Sequence, residues 1–126
     1  QRGSYAVDPK KVLPAVETRE GKEKIKHLIE ERVSYYAQLM GVTYNRITMR
    51  NQKTRWGSCS SQGNLNFNNR LLFVPEELLD YVVVHELAHR KEMNHSRAFW
   101  NVVGIYLPDY KERRAKLREY HIDADR

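Results

Sequence analysis

Hydrophobic residues recur at helical spacing between residues 18 and 41. The apolar positions of this stretch are Ile25, Leu28, Ile29, Val33, Tyr36, Leu39 and Met40. Their spacing of three or four residues predicts an amphipathic α-helix. Thr18 can cap its N terminus, and Gly41 can end it because glycine readily adopts the left-handed conformation found at helix ends. We expect this helix to cover one side of a sheet.

Three short stretches after this helix show the alternation of apolar and polar residues that is typical of strands. They cover residues 44–50, 54–59 and 65–68, and polar or glycine residues that favour turns occupy positions 51–53 and 60–64 between them. These short connections predict a small three-stranded antiparallel sheet.

A second long helix is predicted from Pro75 to about Glu92. Proline is favoured at the first position of a helix, and Glu76 and Glu77 place negative charge in the first turn. Apolar residues surround most of the segment, which indicates a helix that is buried on most sides. Asn94 can end it in the left-handed conformation.

Two shorter helices are predicted towards the C terminus. Ser96 can cap the first of them, and Pro108 ends it. Residues 109–120 form the second, which is basic, and residues 71–74 are an apolar link. The whole pattern predicts an α+β domain, in which the sheet packs with an N-terminal helix, a buried helix and the C-terminal helices.

The buried helix carries the pattern His-Glu-x-x-His at residues 85–89, and His95 follows six residues later. His85 and His89 are four residues apart, so both lie on one face of the helix and can hold one cation. Histidines on a buried helix are more often satisfied by hydrogen bonds alone. Burying three of them beside Glu86 without a metal is costly, however, and the pattern is that of zinc hydrolases.

These residues predict a metal-dependent hydrolase with one zinc ion per chain. Neutral imidazoles are good tetrahedral zinc ligands, and three of them leave one position for water. We expect His85, His89 and His95 to be the ligands and Glu86 to act as the general base on the metal-bound water. Other divalent transition metals fit the same ligands, and the sequence does not choose among them.

Glu112 is the alternative to His95 as the third metal ligand. In metzincins a glycine lies between the second and third histidines and a Met-turn follows, whereas here Glu92 replaces the glycine and no methionine follows His95. In gluzincins the third ligand is a glutamate on a later helix, and Glu112 lies 23 residues beyond His89. His95 is preferred because a short turn brings it to the metal.

The amino-acid composition indicates the class of protein and the cellular compartment to expect. The 126 residues, 40% hydrophobic and 30% charged, fit one globular domain. No segment has the pattern of a transmembrane helix or a signal peptide, so no membrane partner is expected. Cys59 is the only cysteine, which favours a reducing, cytoplasmic setting. Its thiol is interpreted as a small buried hydrophobe rather than a nucleophile or ligand.

Residues 1–17 contain two prolines and little periodicity, and they are interpreted as an extended lead-in or a cloning remnant. Residues 18–126 are expected to form a single domain. Because the chain starts at Gln1, we expect it to be the C-terminal part of a longer protein.

The net charge of +6 comes from 22 basic and 16 acidic residues. Much of the positive charge lies in residues 22–26 and 111–118. Such stretches can contact nucleic acid or nucleotides. The glutamates interspersed among the basic residues favour solvated helix faces instead.

Four segments resemble the YgjP-like metallopeptidase family. They are Arg55-Trp56-Gly57-Ser58-Cys59, residues 71–75, Tyr81-Val82-Val83-Val84-His85-Glu86-Leu87-Ala88-His89, and Asn94-His95-Ser96-Arg97-Ala98-Phe99-Trp100. The resemblance covers about residues 42–107 and implies a compact zincin-like fold related to SprT-like proteases. It also implies His85, His89 and His95 as metal ligands and Glu86 as the catalytic acid–base. Family members usually carry more chain, rich in strands, before this portion.

Three functions fit such a site. The resemblance favours a peptidase acting on a peptide or protein, and SprT-like relatives act on proteins bound to DNA. A pyrophosphohydrolase activity on UTP has also been attributed to the family. A binding module that keeps its metal for structure is the third alternative. Arg55 either binds a substrate carboxylate or phosphate near the metal, or braces a helix end.

Overall fold

The chain forms four α-helices and five short strands within residues 11–122, which the computed structural model describes. In chain order the elements are β1 (Val12–Leu13), α1 (Arg19–Met40), β2 (Arg46–Arg50), β3 (Gly57–Cys59), β4 (Asn64–Asn68), a 3₁₀ helix (Asn69–Phe73), α2 (Glu76–Ala88), α3 (Arg97–Tyr106), α4 (Tyr110–Leu117) and β5 (His121–Ile122). The α+β class is confirmed. Residues 1–10 of the predicted lead-in lie outside the described residues, and β1 pairs in parallel with β5.

The two caps predicted for α1 are both confirmed. The Gly21 amide donates a hydrogen bond of 3.0 Å to the Thr18 hydroxyl, which satisfies one of the free amides of the first turn. At the other end Gly41 has a φ of 68°, the left-handed conformation that costs glycine little. The helix therefore begins and ends where local chemistry dictates.

The main sheet has three strands in the order β2–β4–β3, but it is mixed rather than antiparallel. β3 runs antiparallel to β4, whereas β2 runs parallel to β4 and places Ile47 opposite Leu65 and Met49 opposite Phe67. The predicted antiparallel meander is therefore corrected. β4 lies at the centre because Leu65 and Phe67 are fully buried, and residues 51–63 are long enough to cross over from β2.

Helix α2 is buried on nearly every side, as its apolar pattern predicted, and α1, α3, α4 and β3 all contact it. It ends at Ala88 rather than at Glu92. The Arg90 amide donates to the Leu87 carbonyl (2.9 Å), so the helix tightens into three-residue turns that redirect the chain early. The left-handed conformation predicted for Asn94 is also wrong, because within the described residues only glycines have positive φ.

A buried ion pair fixes α1 against α2. The Arg32 guanidinium donates to both carboxylate oxygens of Asp80, at 2.9 and 3.0 Å, and the Tyr36 hydroxyl donates to the same carboxylate at 3.2 Å. These bonds satisfy a carboxylate that would otherwise be buried without a partner. Within residues 11–122, no helix has both the length and the apolar character required to cross a membrane.

Candidate metal centre

The geometry of α2 brings His85 and His89 together. Their positions four residues apart place the two rings on one face, with centroids 5.2 Å apart. His89 is buried and His85 is half-buried. The helix therefore supplies two imidazoles at a spacing that one metal ion can bridge.

The turn after α2 brings His95 back to this pair. The Nε2 atoms of His85 and His95 are 3.2 Å apart, and one ligand atom from each of the three histidines lies within 4.8 Å of the others. Ser96 fixes the end of the turn, because its hydroxyl accepts a hydrogen bond from the Phe99 amide (3.3 Å) and so caps α3 as predicted.

Aromatic side chains of α3 hold the imidazole rings in place. Phe99 is fully buried and stacks on His89, with centroids 4.5 Å apart and planes inclined by 28°. Trp100 stacks on His95 at 6.1 Å and on Tyr110 at 5.3 Å. This packing restricts the rings without using their nitrogen atoms.

Hydrogen bonds and burial both favour imidazoles that are ready to bind a metal. The Nδ1 atom of His89 is 3.1 Å from the Glu92 carbonyl oxygen, so it carries the proton and leaves Nε2 as an acceptor. Burial lowers the pKa of His85 to about 3, with His89, His95 and Arg114 adding to the effect. Burial also lowers the pKa of His89. Neutral histidines are the form that zinc binds, so the donor set fits that metal.

Arg90 attaches the end of α2 to the sheet. Its guanidinium donates to the carbonyl oxygens of Thr43 and Ser61, both at 2.9 Å. The side chain passes over Gly63, where a Cβ atom would lie only 2.9 Å from the guanidinium carbon. These contacts fix the backbone next to His89.

Glu86 lies beside the histidines with its carboxyl group turned towards β3. It is only 6% exposed, and a Cβ atom added to Gly57 would lie 3.2 Å from its Oε2 atom. Burial raises the pKa of Glu86 to about 8, an effect that the positive charge of Arg55 opposes. The histidines and Glu86 line one cavity of about 240 Å³.

The remaining candidates from the sequence, Arg55, Glu112 and Cys59, do not belong to the histidine group. Arg55 is exposed and lines the same cavity as Glu86. Glu112 is exposed in the first turn of α4 and is not part of the histidine group, which is the one metal-binding cluster among residues 11–122. The Cys59 thiol donates to the Ser60 carbonyl (3.3 Å), and burial together with the charge of Glu86 raises its pKa. A thiol held in this neutral form is a poor nucleophile or ligand.

Sequence reasoning missed several residues that shape the site. Gly57 gives Glu86 its space, Trp100 and Tyr110 support His95, and Tyr81 places its hydroxyl 3.4 Å from the Nδ1 atom of His85. Gly57, Tyr81 and Trp100 all lie in the segments that resemble the family, but only Tyr81 has a local reason for a role at the site, since it lies one helical turn before His85. The others depend on contacts between distant parts of the chain.

A helix that carries a buried glutamate beside three convergent imidazoles defines a metal-dependent hydrolase. Family comparison agrees with this class: the model of the YgjP-like metallopeptidase domain matches residues 6–120, and the chain belongs to that family. A protease family implies peptide or protein substrates. Comparison with curated proteins gives no match.

Solved structures of metallopeptidases share the fold. The metallopeptidase zymogen abylysin of Pyrococcus abyssi has 25% sequence identity and a TM-score of 0.63, and the match covers 74% of this chain and 98% of that one. Jannalysin of Methanocaldococcus jannaschii, also a metallopeptidase zymogen, has 26% identity and a TM-score of 0.63, covering 72% and 94%. Wss1 of Saccharomyces cerevisiae is similar in fold alone, with 14% identity, a TM-score of 0.57 and coverage of 84% and 93%.

Proposed function

We propose that the protein is a zinc peptidase in which His85, His89 and His95 hold the metal and Glu86 is the general acid–base. The observation that carries this proposal is the buried carboxyl group of Glu86 in the same cavity as the three histidines. A structural metal site would be closed by four ligands and would not need an acid that is not itself a ligand.

The residues of the site divide the chemistry between them. A bound zinc ion supplies Lewis acidity, which makes water more acidic and polarises a carbonyl group. Glu86 accepts a proton from the attacking water and gives it to the leaving amine. With a pKa of about 8, the carboxyl group of Glu86 can hold the proton that it gives to the leaving amine. A positive charge beside it, such as that of Arg55, favours the carboxylate form that accepts the proton of water.

The position of β3 supports a peptide substrate rather than UTP. β3 is an outer strand of the sheet, and Gly57 within it contacts Glu86. The amide of Asn68 donates to the Trp56 carbonyl, so by the alternation of an antiparallel ladder the amides and carbonyls of Gly57 and Cys59 point to the open edge. An extended peptide can pair with this edge and so pass beside Glu86.

Replacement of Glu86 by Gln tests the proposal. The change removes basicity but no metal ligand, so the zinc content should stay at one ion per chain while peptide cleavage falls about 10²–10⁴-fold. Glu76→Gln is the matched control, because it makes the same change at an exposed position of the same helix. It should retain activity.

The substrate should be tested with the same variants. The parent protein should cut an unfolded protein, and Glu86→Gln should not. Undiminished cleavage by zinc-loaded Glu86→Gln would exclude Glu86 as the base. If the parent cuts no peptide but releases pyrophosphate from UTP, and Glu86→Gln loses that activity, the site is a pyrophosphohydrolase instead.

A further inference from the structure

A second cavity, of about 330 Å³, opens beside the candidate metal centre and is lined by three arginines. Arg55 comes from the segment before β3, while Arg114 and Arg118 come from the C-terminal part of α4. His85 and Glu86 form part of the same wall. A group bound in this cavity would therefore lie next to the bond that is cut.

The two arginines of α4 are positioned on the cavity side of the helix. Arg114 and Arg118 are four residues apart, so they share one face. Two basic neighbours on the same helix have acidic partners: Arg113 bonds to Asp109 at 3.0 Å, and Lys116 is 3.9 Å from Glu77.

The three cavity arginines, in contrast, have no carboxylate partner among the described residues. The ion pairs of that part of the chain are Lys11–Glu119, Arg19–Glu23, Arg32–Asp80, Arg113–Asp109 and Lys116–Glu77. Arg114 is held by the ring of Trp100, which lies 4.9 Å from its guanidinium carbon. This contact fixes the side chain and leaves its charge uncompensated.

The backbone of Arg55 is also fixed. The side-chain amide of Asn68, which is 1% exposed, donates to the Arg55 carbonyl at 3.0 Å. Three exposed arginines thus border one cavity, with the side chain of Arg114 and the backbone of Arg55 held in place, and an anion bound there would relieve the repulsion between their charges.

The remaining walls favour the side chain of an amino acid. Trp56, Val82 and Leu117 give the cavity apolar surface, against which a short aliphatic stem can pack. A planar carboxylate at the end of that stem can accept paired hydrogen bonds from a guanidinium. Aspartate and glutamate have this combination of groups.

We infer that this cavity, hereafter the arginine pocket, selects peptides that carry an aspartate or glutamate next to the bond that is cut. The inference rests on the proposed peptidase function and adds a substrate preference to it. A carboxylate bound by guanidinium groups should favour cleavage of an acidic peptide over its amide counterpart by about tenfold, and high salt should reduce this preference.

Paired peptides test the preference. Two peptides that differ only in Glu or Gln beside the cut should be cleaved about tenfold differently in kcat/KM by the parent protein. Arg118→Gln should reduce the difference several-fold, and Arg118→Glu, which sets a carboxylate against the two remaining arginines, should bring it close to one. Lys111→Gln is the control, since it removes one charge from the exposed surface of the same helix and should keep the Glu preference.

Peptide binding can be measured without cleavage, so it tests the arginine pocket separately from the proposed peptidase function. Fluorescence anisotropy of the labelled Glu and Gln peptides on zinc-loaded Glu86→Gln should show tighter binding of the Glu peptide, and the double variant with Arg118→Glu should lose most of this difference. Cleavage of both peptides at equal rates, with equal binding, would overturn the arginine pocket and leave the peptidase intact. Arg118-dependent binding of UTP, without any difference between the peptides, would assign the pocket to phosphate and overturn the preference. No cleavage of any peptide, with Glu-selective binding retained, would overturn only the peptidase.

Discussion

Replacement of Gly57 tests how the sheet positions the carboxyl group of Glu86, the proposed base. A Cβ atom at this residue would lie 3.0 Å from the Asn66 carbonyl oxygen, 3.1 Å from Cγ of Glu86 and 3.2 Å from its Oε2. All three distances are shorter than ordinary van der Waals contact. The Asn66 oxygen is backbone within the sheet ladder and cannot move far, so the side chain of Glu86 has to yield.

The expected cost of Gly57→Ala follows from these distances. Overpacking by one methyl group costs about 1–3 kcal/mol of unfolding free energy, and the smaller value applies if Glu86 moves easily. A displacement of 1 Å in a catalytic group costs about 10²-fold in rate, so the few tenths of an ångström that Glu86 has to move should cost about threefold to tenfold. The three atoms nearest to the new Cβ include none from the three histidines, so zinc binding should be unchanged.

Gly104→Ala is the matched control. Its Cβ would lie 3.6 and 3.8 Å from ring carbons of Tyr110, which is ordinary contact, and alanine is about 1 kcal/mol better than glycine within a helix. Both variants should be measured for zinc content, thermal unfolding and peptide cleavage. Gly57→Ala should lose about threefold to tenfold in kcat with full zinc content, while Gly104→Ala should keep parental activity. Parental kcat in folded Gly57→Ala would refute the assignment of Glu86 as a base positioned by β3.

Two further predictions concern the metal and the fold. His95→Ala should lose several kcal/mol of zinc affinity, whereas Glu112→Ala should lose almost none; the reverse pattern in a zinc titration would establish a gluzincin-type site. Asp80→Ala should lower the free energy of unfolding by about 2–3 kcal/mol, somewhat less than for a fully buried pair because the Arg32 side chain keeps 23% exposure. Lys116→Gln, which removes an exposed pair at 3.9 Å, should cost less than about 1 kcal/mol in the same denaturant titration, and equal effects would contradict this reasoning.

Local chemistry made both ends of α1, the start of α3 and the histidine pattern predictable, but not the early end of α2 at Ala88. Thr18 and Gly41 act through groups within one turn of their own positions, and so does Ser96. The strand order was not predictable in this way. Whether residues 46–50 pair with β3 or with β4 depends on which strand is most buried, and burial is set by α1 and α2 packing on the sheet rather than by alternation within the strand.

The arginines of the basic helix α4 could not be assigned to a functional site from the sequence alone. In the sequence its charges have the pattern of a solvated face, and Arg113 and Lys116 do have acidic partners. Arg114 and Arg118 are indistinguishable from them by type and spacing. Only the packing of α4 against α2 shows that these two border a cavity shared with Glu86.

The short segment that leads into β3 connects the base with the arginine pocket. Arg55 lines both cavities and its charge acts on Glu86, while a Cβ atom at Gly57, two residues later, would lie 3.2 Å from Oε2 of Glu86. A substitution of Arg55 therefore alters both the protonation of Glu86 and the binding of an anion. A slower cleavage rate in such a variant would combine these two causes. Arg118 lines only the arginine pocket and approaches it from a different helix. Charge reversal at Arg118 can weaken the preference for acidic peptides without touching the proposed base, and for that reason a variant at Arg118 rather than at Arg55 tests whether the pocket sets specificity.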